Sequence, residues 1–128
     1  MPRPLEKLSV GILNISGTTT LNDLSLTKTT VTQGTSITSG VSSSSPAGFV
    51  YTFTTGTIAT SGSATFTVSN DLVNSNSLVT SSLVHYPGTG IPIVNTNNIT
   101  SGSFDVTITN ADSVNDVSGS LKIGYTIF

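Results

Sequence analysis

Apolar and polar residues alternate with a period of two along much of the chain. Ala64, Phe66 and Val68 interleave with Ser63, Thr65, Thr67 and Ser69, and Phe104, Val106 and Ile108 interleave with Asp105, Thr107 and Thr109. Phe49, Tyr51 and Phe53 likewise alternate with Val50 and Thr52. Each run predicts a strand with one wet and one buried face. Residues 121–128 set Leu121, Ile123, Tyr125 and Ile127 on one side and Lys122, Gly124, Thr126 and Phe128 on the other, so this strand is expected to be covered on both faces at its end. Residues 78–86 put Leu78, Val84 and Tyr86 on one face and Val79, Leu83 and His85 on the other, the pattern of an inner strand or of one at a subunit contact. Turn chemistry separates the runs at Ser61-Gly62, Pro87-Gly88-Thr89-Gly90 and Ser101-Gly102, and residues 110–119 form a longer polar loop. No window carries a helical period. Turns at intervals of roughly ten residues predict an all-β fold, an antiparallel β-sandwich or jelly roll.

The first 45 residues read differently. Pro2 and Pro4 cannot donate to a sheet ladder, and Arg3, Glu6 and Lys7 charge the same stretch, so residues 1–7 predict an extended arm. Leu8, Val10 and Ile12 alternate, and Leu13 and Ile15 continue on the other phase, which predicts a bulge near Gly11 or burial of both faces. Between residues 16 and 41 the apolar positions thin to Leu21, Leu24, Leu26, Val31, Ile37 and Val41 among Thr and Ser. Such a stretch does not bury enough by itself to offset backbone ordering of about 1–2 kcal/mol per residue, and it asks for partners such as other copies of the chain. Ser42 to Ser45 followed by Pro46 reads as a hinge, dividing the chain into an arm and short β stem at 1–45 and a β-sandwich head at 46–128.

Composition narrows the function. Of 128 residues, 21 are Ser, 23 Thr, 10 Asn and 12 Gly, and only 8% are charged, so the surface is hydroxyl and amide rather than ionic. Four Lys and Arg against six Asp and Glu leave no basic stripe, which argues against nucleic acid and against a polybasic membrane surface. Apolar runs of two or three residues fall far short of the ~20 that span a bilayer, and the opening residues lack the apolar core of a secretory signal. No cysteine is present, which removes disulfide scaffolds, thiol chemistry and Cys-based metal sites.

Catalytic signals are lacking, and the reading is of a protein that is not an enzyme and carries no cofactor. His85 is the only histidine, no G-x-S-x-G elbow accompanies the serines, and His85 is read as an ordinary strand-end residue. Asp112 and Asp116 form the one close acidic pair, yet the D-x-[DN]-x-[DN]-G calcium pattern is missing, and a solvated turn is the simpler reading. Thr-x-Thr pairs such as Thr65 with Thr67 and Thr107 with Thr109 raise the idea of an ice-binding ladder, but they follow no fixed period. Thr is also the β-former that keeps an outer face wet. Asn14-Ile15-Ser16 and Asn98-Ile99-Thr100 match the short glycosylation acceptor pattern, at a frequency expected by chance in so Asn- and Thr-rich a chain.

The C-terminal half carries a resemblance. The Phe-Thr-Val-Ser-Asn run at 66–70, the Pro-Gly-Thr-Gly-Ile-Pro loop at 87–92, the Gly-Ser-Phe-Asp-Val strand at 102–106, the turn at Asn110 and the Ser-Gly-Ser-Leu-Lys-Ile end at 118–123 make residues 64–128 resemble small β-sandwich modules of viral surface proteins. Such modules occur in tailed-phage capsid decoration proteins, head fibres and fibre tips. The resemblance implies a structural virion protein on the outer capsid surface: a homotrimeric decoration or cement protein that docks on the major capsid protein. Its capsid-binding residues would be Leu5, Leu8, Val10, Ile12, Leu13 and Ile15 of the arm, with burial supplying several kcal/mol per subunit at roughly 25 cal/mol per Å² before ordering costs. The alternative is a host-attachment fibre tip that binds a receptor or surface glycan. There Tyr86 would stack on a sugar ring, and Thr89, Asp112, Asn115 and Asp116 would complete a receptor loop.

Overall fold

β-branched and aromatic residues at alternate positions favour pleated backbone, and the chain forms ten strands with no helix among the described residues. The structure is a computed structural model and describes residues 16–17 and 26–128. In chain order the strands are β1 (Lys28–Thr32), β2 (Val41–Ser42), β3 (Ala47–Tyr51), β4 (Thr57–Ile58) and β5 (Ser63–Ser69). They continue with β6 (Val79–His85), β7 (Pro92–Thr100), β8 (Ser103–Asn110), β9 (Val117–Ser118) and β10 (Lys122–Ile127). A first sheet has the order β1-β3-β10-β6, a second the order β2-β5-β8-β7, and β4 with β9 makes a short ribbon.

Both four-stranded sheets turn one face to a single apolar core. From the second sheet come Ala64, Phe66 and Val68 of β5, set in register against Ile108, Val106 and Phe104 of β8. From the first come Val50, Ile123, Tyr125 and Ile127, with Ile123 opposite both Val50 and Leu83. The Phe104 and Tyr125 rings meet across the core at 5.6 Å between centroids and 54° between planes, a tilted aromatic pair that joins the sheets. At one sheet edge Ser81 of β6 hydrogen-bonds Thr96 of β7 through their hydroxyls, and at the other Thr29 of β1 bonds Ser45.

Residues 26–45, read from the sequence as stem, are woven into these sheets. β1 pairs in parallel with β3, β2 pairs in parallel with β5, and Ile37 and Val41 belong to the common core. Gln33 replaces a missing ladder there: its buried amide donates to the Ile37 and Ser39 carbonyls at 2.9 Å and accepts from Phe53 N at 3.0 Å. Among the described residues every buried side-chain nitrogen and oxygen has a partner.

β3 also faces the opposite way from what its aromatic residues suggest. Val50 points into the core and the following Thr52 is buried, while Tyr51 is exposed and Phe49 half-buried. Thr52 tolerates burial because its hydroxyl accepts from Leu121 N at 2.8 Å. Gly48 is what brings β1 close: a Cβ there would overlap the Thr29 carbonyl oxygen and stand 2.9 Å from the Tyr125 hydroxyl. Gly48→Ala is therefore expected to cost about 1–3 kcal/mol of stability in urea unfolding. An alanine variant as stable as the parent would contradict this close approach.

Candidate functional site

The two outer sheet faces differ in chemistry. On the second sheet the solvent side carries Thr65 and Thr67 of β5, Asp105, Thr107 and Thr109 of β8, and Asn95 and Asn97 of β7. The hydroxyls bond one another: Thr65 with Thr107 at 2.8 Å, Thr67 to Asp105 at 2.7 Å, and Asn97 to Thr107 at 3.2 Å. Two of the Thr-x-Thr pairs thus lie side by side on one face whose polar groups satisfy each other.

The outer face of the first sheet sets aromatic and aliphatic side chains and two lysines among the hydroxyls of Thr30, Thr80, Ser82 and Thr126. Register places Phe49 and Tyr51 beside Gly124 and Lys122, and these beside Ser82 and His85. The Lys122 ammonium sits 4.3 Å from the centre of the Phe49 ring and 5.7 Å from that of Tyr51, a cation–π arrangement on an exposed sheet. At the other end Leu78 and Phe128 exchange backbone hydrogen bonds of 3.2 and 2.8 Å, and their side chains are 62% and 72% exposed. The sequence predicted cover for Phe128, and the described residues do not provide it. Between the two ends lies a groove of about 260 Å³ bordered by Lys28, Ala47, Phe49, Ser82, Val84 and Thr126. It exists because Gly124 has no side chain to fill it; a Cβ there would stand 3.0 Å from a Val84 methyl.

At one end of the molecule the fold gathers the five residues of the candidate receptor loop. The Tyr86 hydroxyl accepts from Ser118 N at 2.9 Å and lies within bonding distance of the Thr89 and Ser118 carbonyls. Thr89 Oγ1 donates to Asp116 O at 3.2 Å, and Asp116 Oδ1 accepts from Thr60 N at 3.0 Å. Asp112 Oδ1 accepts from Val114 N at 2.8 Å and Asn115 N at 3.1 Å, while its Oδ2 accepts from the Asn115 amide at 3.1 Å. Tyr86, Asp112 and Asp116 therefore already serve the loop's own geometry. Val114, which sequence reasoning passed over, stands at the loop apex with 79% of its surface exposed. Its signal in the sequence was a lone apolar residue in the middle of a polar loop.

The Val114 amide, then the Asn115 side chain and amide, hold the Asp112 carboxyl below the ordinary aspartate value. A depressed folded value means the loop bonds are complete above the unfolded value of about 3.9 and are lost as pH falls through the lower folded one. The Val114 and Asn115 amide proton shifts are expected to titrate together below that value in an NMR pH series. A midpoint at or above it would contradict the bonding described.

His85 ends β6, exposed and opposite Lys122, and no group of three or more His, Asp or Glu side chains gathers among the described residues. The capsid-binding candidates Leu5, Leu8, Val10, Ile12, Leu13 and Ile15 lie outside the described residues. No family model, curated protein or solved structure matches the chain.

Proposed function

We propose that the chain is a structural virion protein of bacteriophage type, a homotrimeric capsid decoration or cement protein built as a jelly-roll-like β-sandwich. Its N-terminal segment docks on the major capsid protein, and its two-sheet body stabilises the particle from outside. One observation carries this reading: of the eight exposed large hydrophobics among the described residues, Tyr51, Leu78, Val84 and Phe128 lie on the outer face of the first sheet. Exposed apolar side chains gathered on one face mark interaction surfaces, whereas the other sheet face is polar at its centre, with Thr65, Thr67, Asp105 and Thr107, and carries a single exposed large hydrophobic, Ile93, on its edge strand. A protein with one face for burial and one for solvent works by contact area, and contact area is what a cement supplies. The bonds that tie the Tyr86 hydroxyl to Ser118 and Thr89 support this reading over a glycan-binding tip, because that hydroxyl is not free for a sugar.

The test is co-sedimentation with undecorated capsids. The full chain is expected to pellet with particles, and a chain lacking residues 1–15 is expected to stay in the supernatant while keeping its fold. Equal pelleting of both chains would remove the arm from the docking surface.

A further inference from the structure

We propose that the groove on the outer face of the first sheet receives the 110–118 loop of a second copy of this chain. Val114 seats between Phe49 and Val84, and the Asp112 and Asp116 carboxylates approach Lys122 and Lys28. The inference deepens the self-association part of the function above and rests on it.

Three observations meet here. The first is the loop. Its apex side chain is the most exposed large hydrophobic among the described residues, yet the backbone beneath it is pinned by Asp112 from within, by the Asn110 amide at Asn115 O (2.9 Å) and by the Thr89 hydroxyl at Asp116 O. A loop already held in shape loses little freedom when it docks. The second is the groove, an apolar floor of Ala47 and Gly124 with the Phe49 ring on one side and Val84 on the other. Val114 does not occupy the groove of its own chain, since it stands in solvent.

The third is charge. Among the described residues both lysines, Lys28 and Lys122, lie on the first sheet's outer face, and the loop holds two of the four aspartates, Asp112 with its carboxyl favoured in the ionised form. Two copies meeting through their first-sheet faces would oppose lysine to lysine. A loop against a groove opposes carboxylate to ammonium. Because the two surfaces are different, the contact is heterologous and closes into a ring when the rotation between copies permits, as a trimer requires.

Light scattering on the full chain tests this with two variants, Val114→Glu in the loop and Ser82→Trp to fill the groove from an exposed strand position. The wild-type chain is expected at three times the monomer mass and each variant alone at the monomer mass, with the circular dichroism of the parent. An equimolar mixture of the two variants is expected to form a dimer, since it restores one intact loop and one intact groove. Should either substitution unfold the chain, K28E and D116K take their place, each lowering the mass and the two combined in one chain restoring it. An oligomeric wild type whose mass is unchanged by V114E, or a variant mixture that stays monomeric, would overturn this contact and leave assembly through another surface standing. A wild-type chain that is monomeric at every concentration would overturn the contact and the self-association reading together.

Discussion

Asn110→Ala is expected to lower the unfolding free energy by roughly 3–5 kcal/mol, because it strands several buried backbone groups at once. The Asn110 side chain is fully buried, and its oxygen accepts from Ile91 N at 3.1 Å and Asp112 N at 3.0 Å. Its nitrogen reaches the carbonyls of Ile58 and Ala59 at 3.3 Å and of Asn115 at 2.9 Å. One amide thus fastens the start of β7, the end of β4 and the loop that carries Val114. Asn110→Asp is expected to be at least as damaging, since a carboxylate cannot donate to three carbonyls and would be buried without a cation. Equilibrium urea unfolding checks both variants, and a loss below about 1 kcal/mol would show that water replaces these bonds.

The second large effect concerns the core. Phe104→Ala is expected to cost about 3–5 kcal/mol, combining lost transfer energy with the cavity left between two sheets that cannot close on it. Phe104 has no exposed surface, stands opposite Val68 and meets Tyr125 from the other sheet. Phe104→Leu, which keeps most of the volume, is expected to lose far less, under about 1.5 kcal/mol. Equal losses in the two variants would mean that the ring contact, and not the volume, holds the sheets together.

How much of this was legible in the sequence follows from which strands have one wet face. β5, β8 and β10 bury one side and wet the other, so Ser and Thr alternate with Phe, Val and Ile and the strands announce themselves. β7 has only Pro92, Val94, Thr96 and Ile99 half-buried, and it breaks register between Asn97 and Thr100 where Asn98 takes φ 50°, so no clean alternation marked it as a strand. β1 has just Val31 and Thr29 turned inward, and it becomes a strand through parallel pairing with a segment across a crossover that no local pattern reveals. Residues 16–41 read as too poor in apolar side chains to bury themselves and as asking for partners, and within them Val31, Ile37 and Val41 pack on the core of their own chain.

The candidate sites divide along the same line. The polar loops at 86–91 and 110–118 were visible as turn chemistry, while their meeting through Tyr86 and Ser118 depends on the fold. The groove was not visible at all, because Phe49, Gly124 and Ser82 become neighbours only when β3, β10 and β6 line up. A glycine in a strand is easily read as a mere weakness; here it makes room.

The central claim is that this protein acts by covering and cementing a capsid. The most direct measurement is the temperature at which undecorated particles open, followed by genome or dye release, with and without a saturating amount of the full chain. Particles carrying the protein are expected to stay closed at temperatures that open bare ones, and the gain is expected to vanish with the chain lacking residues 1–15. Identical opening curves for bare and protein-treated particles would contradict the account.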